Sequence, residues 1–350
     1  MTNILIHSDS LSVLKDTSSK KANLIYLDPP FFTNRSFESD SYDGKRITFD
    51  DVWKNGISEY LNFMRNVLQE SLRILHPTGM LFLHCDWHAS HYLKVELDKI
   101  FGYHNFVNEI IWKRHNSQNN SKQGAKIFGR MHDTILVYSK TKDYTWNQIY
   151  DNYSDEYKKR AYRNVDGKTG ERYALGDLSG PGGASKGNPR YEFLGFTKYW
   201  RYSKQKMLRL YKEGKIVQTR PNTVPKLKRY LKDMKGIPLS DIWSDINNHQ
   251  IKNRKSILYP TQKPIELLDR IIRCSTKKGD LVLDPFCGSG TTLISAHKLQ
   301  RNWVGIDKNH VAIDIVKRRL QESGVLESEY KLLEEPLKIN GTKRRKFIDN

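Results

Sequence analysis

Apolar and polar positions along the chain fall into two alternating kinds of segment. Short continuous apolar runs occur at Ile4-Leu5-Ile6, Leu24-Ile25-Tyr26-Leu27, Met80-Leu81-Phe82-Leu83, Ile135-Leu136-Val137-Tyr138, Leu281-Val282-Leu283 and Trp303-Val304-Gly305-Ile306. Runs of this length, bounded by turn residues, predict strands covered on both faces. Phe106 to Trp112 predicts a further strand. Between them, Ile57, Leu61, Met64, Leu68, Leu72 and Leu75 recur at helical spacing until His76-Pro77-Thr78-Gly79 ends the pattern. Further helices are predicted from Trp87 to Ile100, from Pro264 to Cys274 with Pro264 in the first turn, and from Val311 to Leu320. This rhythm predicts an α/β fold, a mostly parallel sheet with helices on both faces.

Three stretches break the rhythm. Thr33 to Asp51 is rich in Ser, Asp and Asn without clear periodicity, and predicts a long loop placed as a lid. Lys113 to Arg130 is polar and basic and predicts a loop leaving the sheet. From Tyr144 to about Lys235 the core signal thins, Gly180-Pro181-Gly182-Gly183 and Asn188-Pro189 interrupt the chain, and cations alternate with rings. Arg201, Lys204, Lys206, Lys228 and Arg229 are interleaved there with Phe196, Tyr199, Trp200, Tyr202, Tyr211 and Tyr230. Cations neutralise phosphates and rings stack on bases, so this region is expected to meet nucleic acid. The net charge of +20 strengthens that expectation.

Composition narrows the class further. With 350 residues, 37% of them hydrophobic, the chain can bury a sizeable core. Its 3 cysteines, Cys85, Cys274 and Cys287, are too scattered for a disulfide framework and imply a reducing, cytoplasmic setting. No apolar run approaches the roughly 20 residues of a membrane span. His84, Cys85, Asp86 and His88 lack metal-ligand spacing, so no metal is expected.

The chemistry concentrates where strands stop at acids. The run ending Leu27 stops at Asp28-Pro29-Pro30-Phe31. Neither proline has an N–H, so this loop offers carbonyl oxygens, a carboxylate and an aromatic face, which suits a flat group bearing an NH2, such as a nucleobase. Asp284 leads into Pro285-Phe286-Cys287-Gly288-Ser289-Gly290-Thr291, a strand, a glycine turn and a helix start. The turn lacks the Gly-Lys-Ser/Thr of a phosphate loop, and Leu293 stands where a dinucleotide fingerprint has its third glycine. Asp307, about twenty residues on, ends the next strand and suits a ribose. A nucleoside cofactor without a pyrophosphate fits these features, and S-adenosylmethionine is one.

At these residues a resemblance appears. Asp28-Pro29-Pro30-Phe31 resembles the catalytic Asp-Pro-Pro-Tyr/Phe motif of the DNA amino-methyltransferases, and Asp284 to Gly290 resembles their cofactor motif. Catalytic motif first and cofactor motif last is the order of the beta class. Asn108-Glu109-Ile110-Ile111-Trp112, His132-Asp133-Thr134-Ile135-Leu136 and Tyr259-Pro260-Thr261-Gln262-Lys263-Pro264 agree with it. The resemblance implies a Rossmann-like methyltransferase domain in two parts, catalytic over 1–143 and cofactor-binding over 236–325. Between them lies a target-recognition region at 144–235, and a basic tail follows at 326–350.

It further implies methyl transfer from S-adenosylmethionine to an exocyclic amine of a base flipped out of duplex DNA. Asp28 and the Pro29 carbonyl, on the rigid Pro29-Pro30 turn, would accept the amine hydrogens, and Phe31 would stack on the base. Asp307 would meet the ribose and Asp9 the adenine amine, with an ordinary helix cap as the lesser alternative for Asp9. Phe286, Cys287, Gly288, Gly290 and Thr291 would surround the methionine, with Thr261 and Lys263 near its carboxylate, though Lys263 also reads as a surface lysine. Arg201, Lys204, Lys206, Lys228 and Arg229 would contact DNA. Asp before the two prolines leans toward N6 of adenine and leaves N4 of cytosine open, as are an RNA substrate and an inactive DNA-binding protein. A homodimer and a partner restriction nuclease are compatible with the resemblance.

Overall fold

The computed structural model describes residues 3–40, 46–114, 126–246 and 262–334. Thr261, with Tyr259 and Pro260, and the basic cluster Lys343 to Lys346 lie outside the described residues. The chain divides into two compact units, residues 1–149 with 240–350, and residues 150–239.

The first unit is built on one sheet. Its strands and helices, in chain order, are β1 (Asn3–His7), α1 (Ser10–Asp16), β2 (Ala22–Leu27), β3 (Arg35–Asp40), β4 (Arg46–Asp51), α2 (Ile57–Ile74), β5 (Leu75–Cys85), α3 (Ser90–Leu97), β6 (Phe106–Lys113) and β7 (His132–Ser139). They continue as β8 (Ile242–Trp243), α4 (Ile265–Ser275), β9 (Leu281–Asp284), α5 (Thr291–Lys298), β10 (Asn302–Asp307), α6 (His310–Glu322) and β11 (Tyr330–Glu334). The 9-stranded sheet has the order β8-β6-β7-β5-β2-β9-β10-β1-β11. β7 pairs antiparallel with both β5 and β6, and the remaining pairings are parallel. The result is a Rossmann-like sheet in which β2, β9 and β10 run side by side and end on the same edge.

The apolar runs bury as their patterns require. Ile25 and Leu27 of β2, Leu81 and Leu83 of β5, and Leu283 of β9 are fully buried. Against them α2 packs Tyr60, Met64, Val67, Leu68 and Ile74, one stripe of an amphipathic helix. Each such side chain removed from water contributes on the order of 1.5–3 kcal/mol, enough to fix the register of a sheet whose strands lack polar faces.

Several expectations need correction. Thr33 to Asp51 contains the antiparallel hairpin β3–β4, with Phe37 opposite Phe49, rather than a loop. Its strands are polar on most positions, so the period-2 signal that marks a half-buried strand is weak. His76-Pro77-Thr78-Gly79 lies inside β5: the register passes from Ala22↔Leu75 to Leu24↔Met80, so these residues form an irregularity in the strand. Pro264 is the N-cap of α4 with extended ψ, one position before the first turn. The tail expected from 326 begins with β11, paired in parallel with β1 along the sheet's edge.

The second unit has a 4-stranded antiparallel sheet that includes Arg172–Asp177 and Lys226–Tyr230, a hairpin of Arg190–Phe193 with Phe196–Tyr199, and a helix over Lys204–Lys212. Its core is Leu178, Phe193, Trp200, Met207 and Ile216. Trp200 is therefore a core ring, its indole N–H donating to the Tyr191 carbonyl at 2.9 Å, and Tyr230 is buried with its hydroxyl on Asp166 at 2.6 Å. Tyr199 and Tyr211 are exposed.

The cations divide in the same way. Lys204 and Lys206 are exposed on the helix over Lys204–Lys212, with Lys206 Nζ 4.5 Å above the Tyr202 ring. Exposed Arg201 donates to the Ser179 carbonyl, and exposed Arg229 runs past Gly176, where an added Cβ would meet its Nε at 2.5 Å. Lys228 departs from its expected role. It is largely covered, 2.7 Å from Asp166, and the hydrogen bonds from Lys228 and Tyr230 hold that carboxyl well below the usual range. A lysine so paired holds its strand, Lys226–Tyr230, to the loop that carries Asp166.

Candidate active site

β2 delivers Asp28 to the edge of the sheet, and the two prolines behind it turn the chain sharply. What fixes the turn is Asp51, the last residue of β4 and 1% exposed. Its carboxylate accepts the backbone N–H groups of Phe31 (3.1 Å), Phe32 (3.1 Å) and Thr33 (2.7 Å), the Thr33 hydroxyl (2.7 Å) and the Trp53 indole (2.8 Å). Phe32 sits at φ +62°, a left-handed conformation that costs a non-glycine residue about 1–3 kcal/mol. The hydrogen bond to its N–H and the packing of its ring on Tyr60 at 5.6 Å offset that cost. Asp51 was not singled out in the sequence, where it is one acid in a polar stretch. The hairpin that carries it is the missing signal.

Asp28 is ion-paired. Lys263 Nζ donates to both its oxygens, at 2.8 and 2.5 Å, and lies 5.3 Å from the centre of the Phe31 ring. Lys263 was expected beside a cofactor carboxylate, so its place against the Asp28 carboxylate is a finding that spacing alone did not give. Phe31 stacks on His84 with centres 5.6 Å apart and planes 24° from parallel. His84 is fully buried between the Tyr26 hydroxyl (2.8 Å, Nδ1) and Asp133 (3.2 Å, Nε2). Burial opposes the charge of Asp133, yet the hydrogen bond and charge of His84 and the charge of Arg114 hold its carboxyl below the usual range. Burial, followed by the Asp28 charge, pushes the Tyr26 phenol well up. Tyr26 and Asp133 hold the imidazole at its two ring nitrogens and fix its orientation. His84 is thus a buried support for the Phe31 ring.

On the other side, β9 and β10 deliver Asp284 and Asp307. Asp284 Oδ1 accepts the Phe286 N–H at 3.0 Å. Its carboxyl is pushed up to about 7, first by burial and then by the charges of Asp28 and Asp307, against a hydrogen bond from Thr292. Asp307 accepts the Gly288 N–H on one oxygen (2.9 Å) and the Asn309 N–H on the other (2.8 Å), and burial raises its pKa as well. The turn between them requires glycine at Gly290, where φ is +77° and a Cβ would stand 2.9 Å from Val316. Arg319 of α6 fixes the turn from behind, bonding the Ser289 carbonyl, the Ser289 hydroxyl at 2.8 Å and the Thr291 hydroxyl at 3.1 Å. Ser10 ties α1 to the same loop through the Pro285 carbonyl.

These pieces share one cavity of about 570 Å³. Asp9, Asp28, Pro29, Pro30, Phe31, Lys263, Asp284, Phe286, Cys287, Gly288, Thr291 and Asp307 all line it, as do Ser10, Tyr26, Asp51, Trp53, Phe63 and Asn309, which sequence reasoning passed over. Gly290 shapes the turn rather than the wall. Asp9 is the N-cap of α1, accepting the Ser12 N–H at 2.9 Å, so the helix-cap reading is realised while its residue also faces the cavity. Cys287 is buried and its thiol pushed well up by burial, which makes it a wall and not a nucleophile.

Two outcomes are expected. Asp51→Asn offers one oxygen to five donors and turns an NH2 toward others, so urea unfolding should show a loss on the order of 2–4 kcal/mol. For Asp284 the folded pKa lies above the ordinary value of 3.8, so the folded state holds the extra proton between about pH 4 and 7. Its stabilising contribution is complete below about pH 4 and is lost as pH rises through 7. Asp284→Asn should flatten that slope and raise the unfolding temperature at pH 8 relative to wild type, as thermal melts across pH 5–8 will show.

Comparison with known proteins places this geometry. The chain is 34% identical over its whole length to the type II methyltransferase M.EcaI of Enterobacter cloacae, spanning 77% of that protein. It is 28% identical to the DNA adenine methyltransferase YhdJ of Escherichia coli K12, over 90% of this chain and 82% of that one. The crystal structure of TTHA0409 from Thermus thermophilus, complexed with S-adenosyl-L-methionine, shares the fold with a TM-score of 0.51 at 19% identity, covering 95% of this chain and 100% of that one. A family profile described as DNA methylase, for N6 and N4 enzymes, matches residues 22–318. A carboxylate-diproline loop and a glycine turn opening into one cavity are what such an enzyme needs, and the chain belongs to the DNA methylase family.

Proposed function

We propose that this protein is a site-specific DNA methyltransferase that moves a methyl group from S-adenosylmethionine to the exocyclic N6 of adenine in duplex DNA, after the base is flipped from the helix. The observation that carries this reading is the single cavity shared by Asp28-Pro29-Pro30-Phe31 and the Asp284 to Gly290 turn with Asp307. Its volume of about 570 Å³ suits a nucleoside-sized guest with a base beside it. Each Asp307 oxygen is engaged by one backbone N–H, and a carboxylate has about four acceptor sites, so lone pairs remain for the two ribose hydroxyls. The donor set therefore fits the cofactor. When bound, S-adenosylmethionine supplies an electrophilic methyl group on a sulfonium.

The protein's own groups prepare the amine. An exocyclic nitrogen is conjugated with its ring and is a poor nucleophile, so it must be oriented. The Asp28 carboxylate and the Pro29 carbonyl accept its two hydrogens and turn the lone pair out of the ring plane. Because both acceptors are fixed by the prolines and by Asp51, little reorganisation remains at the moment of reaction. As the nitrogen becomes positive, Asp28 stabilises that charge. The pairing of Lys263 with Asp28 leaves further acceptor sites on the carboxylate. Phe31, braced on His84, offers a face for the base, whose stacking of about 1–3 kcal/mol offsets part of the cost of flipping.

Likeness to YhdJ, a DNA adenine methyltransferase, supports adenine as the target, and the exposed cations Arg201, Lys204, Lys206 and Arg229 support the 150–239 unit as a DNA reader. Likeness to a type II methyltransferase supports a companion restriction nuclease in a cytoplasmic setting. The test is to digest DNA from cells expressing the protein to nucleosides. N6-methyldeoxyadenosine is expected, and Asp28→Ala should abolish it while cofactor affinity measured by calorimetry changes little. N4-methyldeoxycytidine, or methylation persisting in Asp28→Ala, would overturn the proposal.

A further inference from the structure

The edge of the sheet that carries Asp28 also carries an exposed group of rings and cations that the cavity does not use. β2 and β5 are paired in parallel with Leu27 opposite Leu83, so the chain leaving β5 emerges beside Asp28. Cys85 pairs with Thr134 and Lys113 with His132, which brings the start of β7 and the end of β6 to the same edge. Trp87 stands two residues past β5, three beyond the His84 that braces Phe31, and is 45% exposed. Its ring is stacked on one side by His88 at 3.7 Å and covered by the Arg130 guanidinium, also 3.7 Å from its centre. His88 is held by Asp86 through its ring and its backbone N–H, both at 2.9 Å. Two residues before Arg130, Phe128 is 97% exposed.

A single exposed ring on a protein surface is ordinary. Three features together are not. Phe128 is flanked in sequence by Lys126 and Arg130, and Lys113, opposite His132, lies on the same edge. The acids of this edge are already engaged, Asp86 by His88 and Asp133 by His84 and Arg114. The uncompensated charge is positive, beside an apolar ring with no burial of its own, on the sheet edge that also carries the pocket proposed to take a base out of a duplex. A base drawn out leaves a gap in the stack, and an apolar wedge fills such a gap while cations take the flanking phosphates.

We infer that this edge is a second DNA contact, built on the catalytic unit, in which Phe128 enters the space vacated by the flipped base and the Arg130–Trp87 stack lies on the adjoining backbone. The inference rests on the proposed function and extends it to the opening of the duplex.

The probe is a duplex oligonucleotide carrying the sequence that wild type methylates, with 2-aminopurine at the target position. Phe128→Ala should bind it about tenfold more weakly and lose most of the fluorescence rise that marks an unstacked base, while cofactor affinity is unchanged. Phe128→Leu should restore part of the signal, since an aliphatic wedge still fills space. A mismatch opposite the target, which lowers the cost of flipping, should recover most of the loss in Phe128→Ala. Trp87→Ala should weaken binding and flatten its salt dependence without that recovery. If Phe128→Ala and Trp87→Ala bind and open the duplex as wild type does, the inference is overturned. A wild type that methylates no duplex would overturn the function proposed above and this inference with it.

Discussion

Three parallel strands end on three carboxylates, Asp28, Asp284 and Asp307, and all three face one cavity. Like charges converging in a partly dry space repel, and each loses solvation as well. The structure answers each of them differently. Asp28 has a lysine, Asp307 has two backbone N–H groups, and Asp284, the most enclosed, has a single backbone N–H and a threonine and is pushed furthest toward its neutral form. The surrounding architecture follows from this need: a glycine turn that aims N–H groups at acids, and a segment before α4 that brings Lys263 to the end of β2.

The two loops that form the cavity are held by opposite charges. Asp51 gathers the donors of the Asp28 loop, and Arg319 gathers the acceptors of the glycine turn. Both come from elements outside the recognisable motifs, a hairpin and the back of a helix. Loops fixed in this way keep their geometry before a guest arrives, which lowers the reorganisation left for the reaction.

The sequence made the sheet and the strand-end acids legible because buried strands need unbroken apolar runs and because prolines after an acid have few other uses. Asp28, Asp284 and Asp307 could be placed on one edge from parallelism alone. Lys263 could not, since only tertiary contact decides which carboxylate a lysine meets across 235 residues of chain. Rings among cations were misleading in the 150–239 unit: Trp200 and Tyr230 serve a small core there, where few aliphatic residues are available to build one. The β3–β4 hairpin stayed hidden because most of its positions are polar and its few apolar residues give only a weak alternation. Phe128 was hidden for a related reason, as an isolated apolar pair, Ile127 and Phe128, in a polar stretch carries no period.

The place of β1 has a consequence for how the protein is made. This first strand lies between β10 and β11, pairing Ile4 with Val304 and with Lys331. At a ribosome adding about 5–20 residues per second, it therefore waits roughly 15–60 seconds for its first partner. β2 likewise gains β5 early but waits for β9. Until then the nascent chain holds a half-built sheet with one raw edge, running through the very strand that ends at Asp28. The cavity closes only when the last third of the chain docks, so synthesis itself keeps the Asp28 loop and the glycine turn apart until both exist.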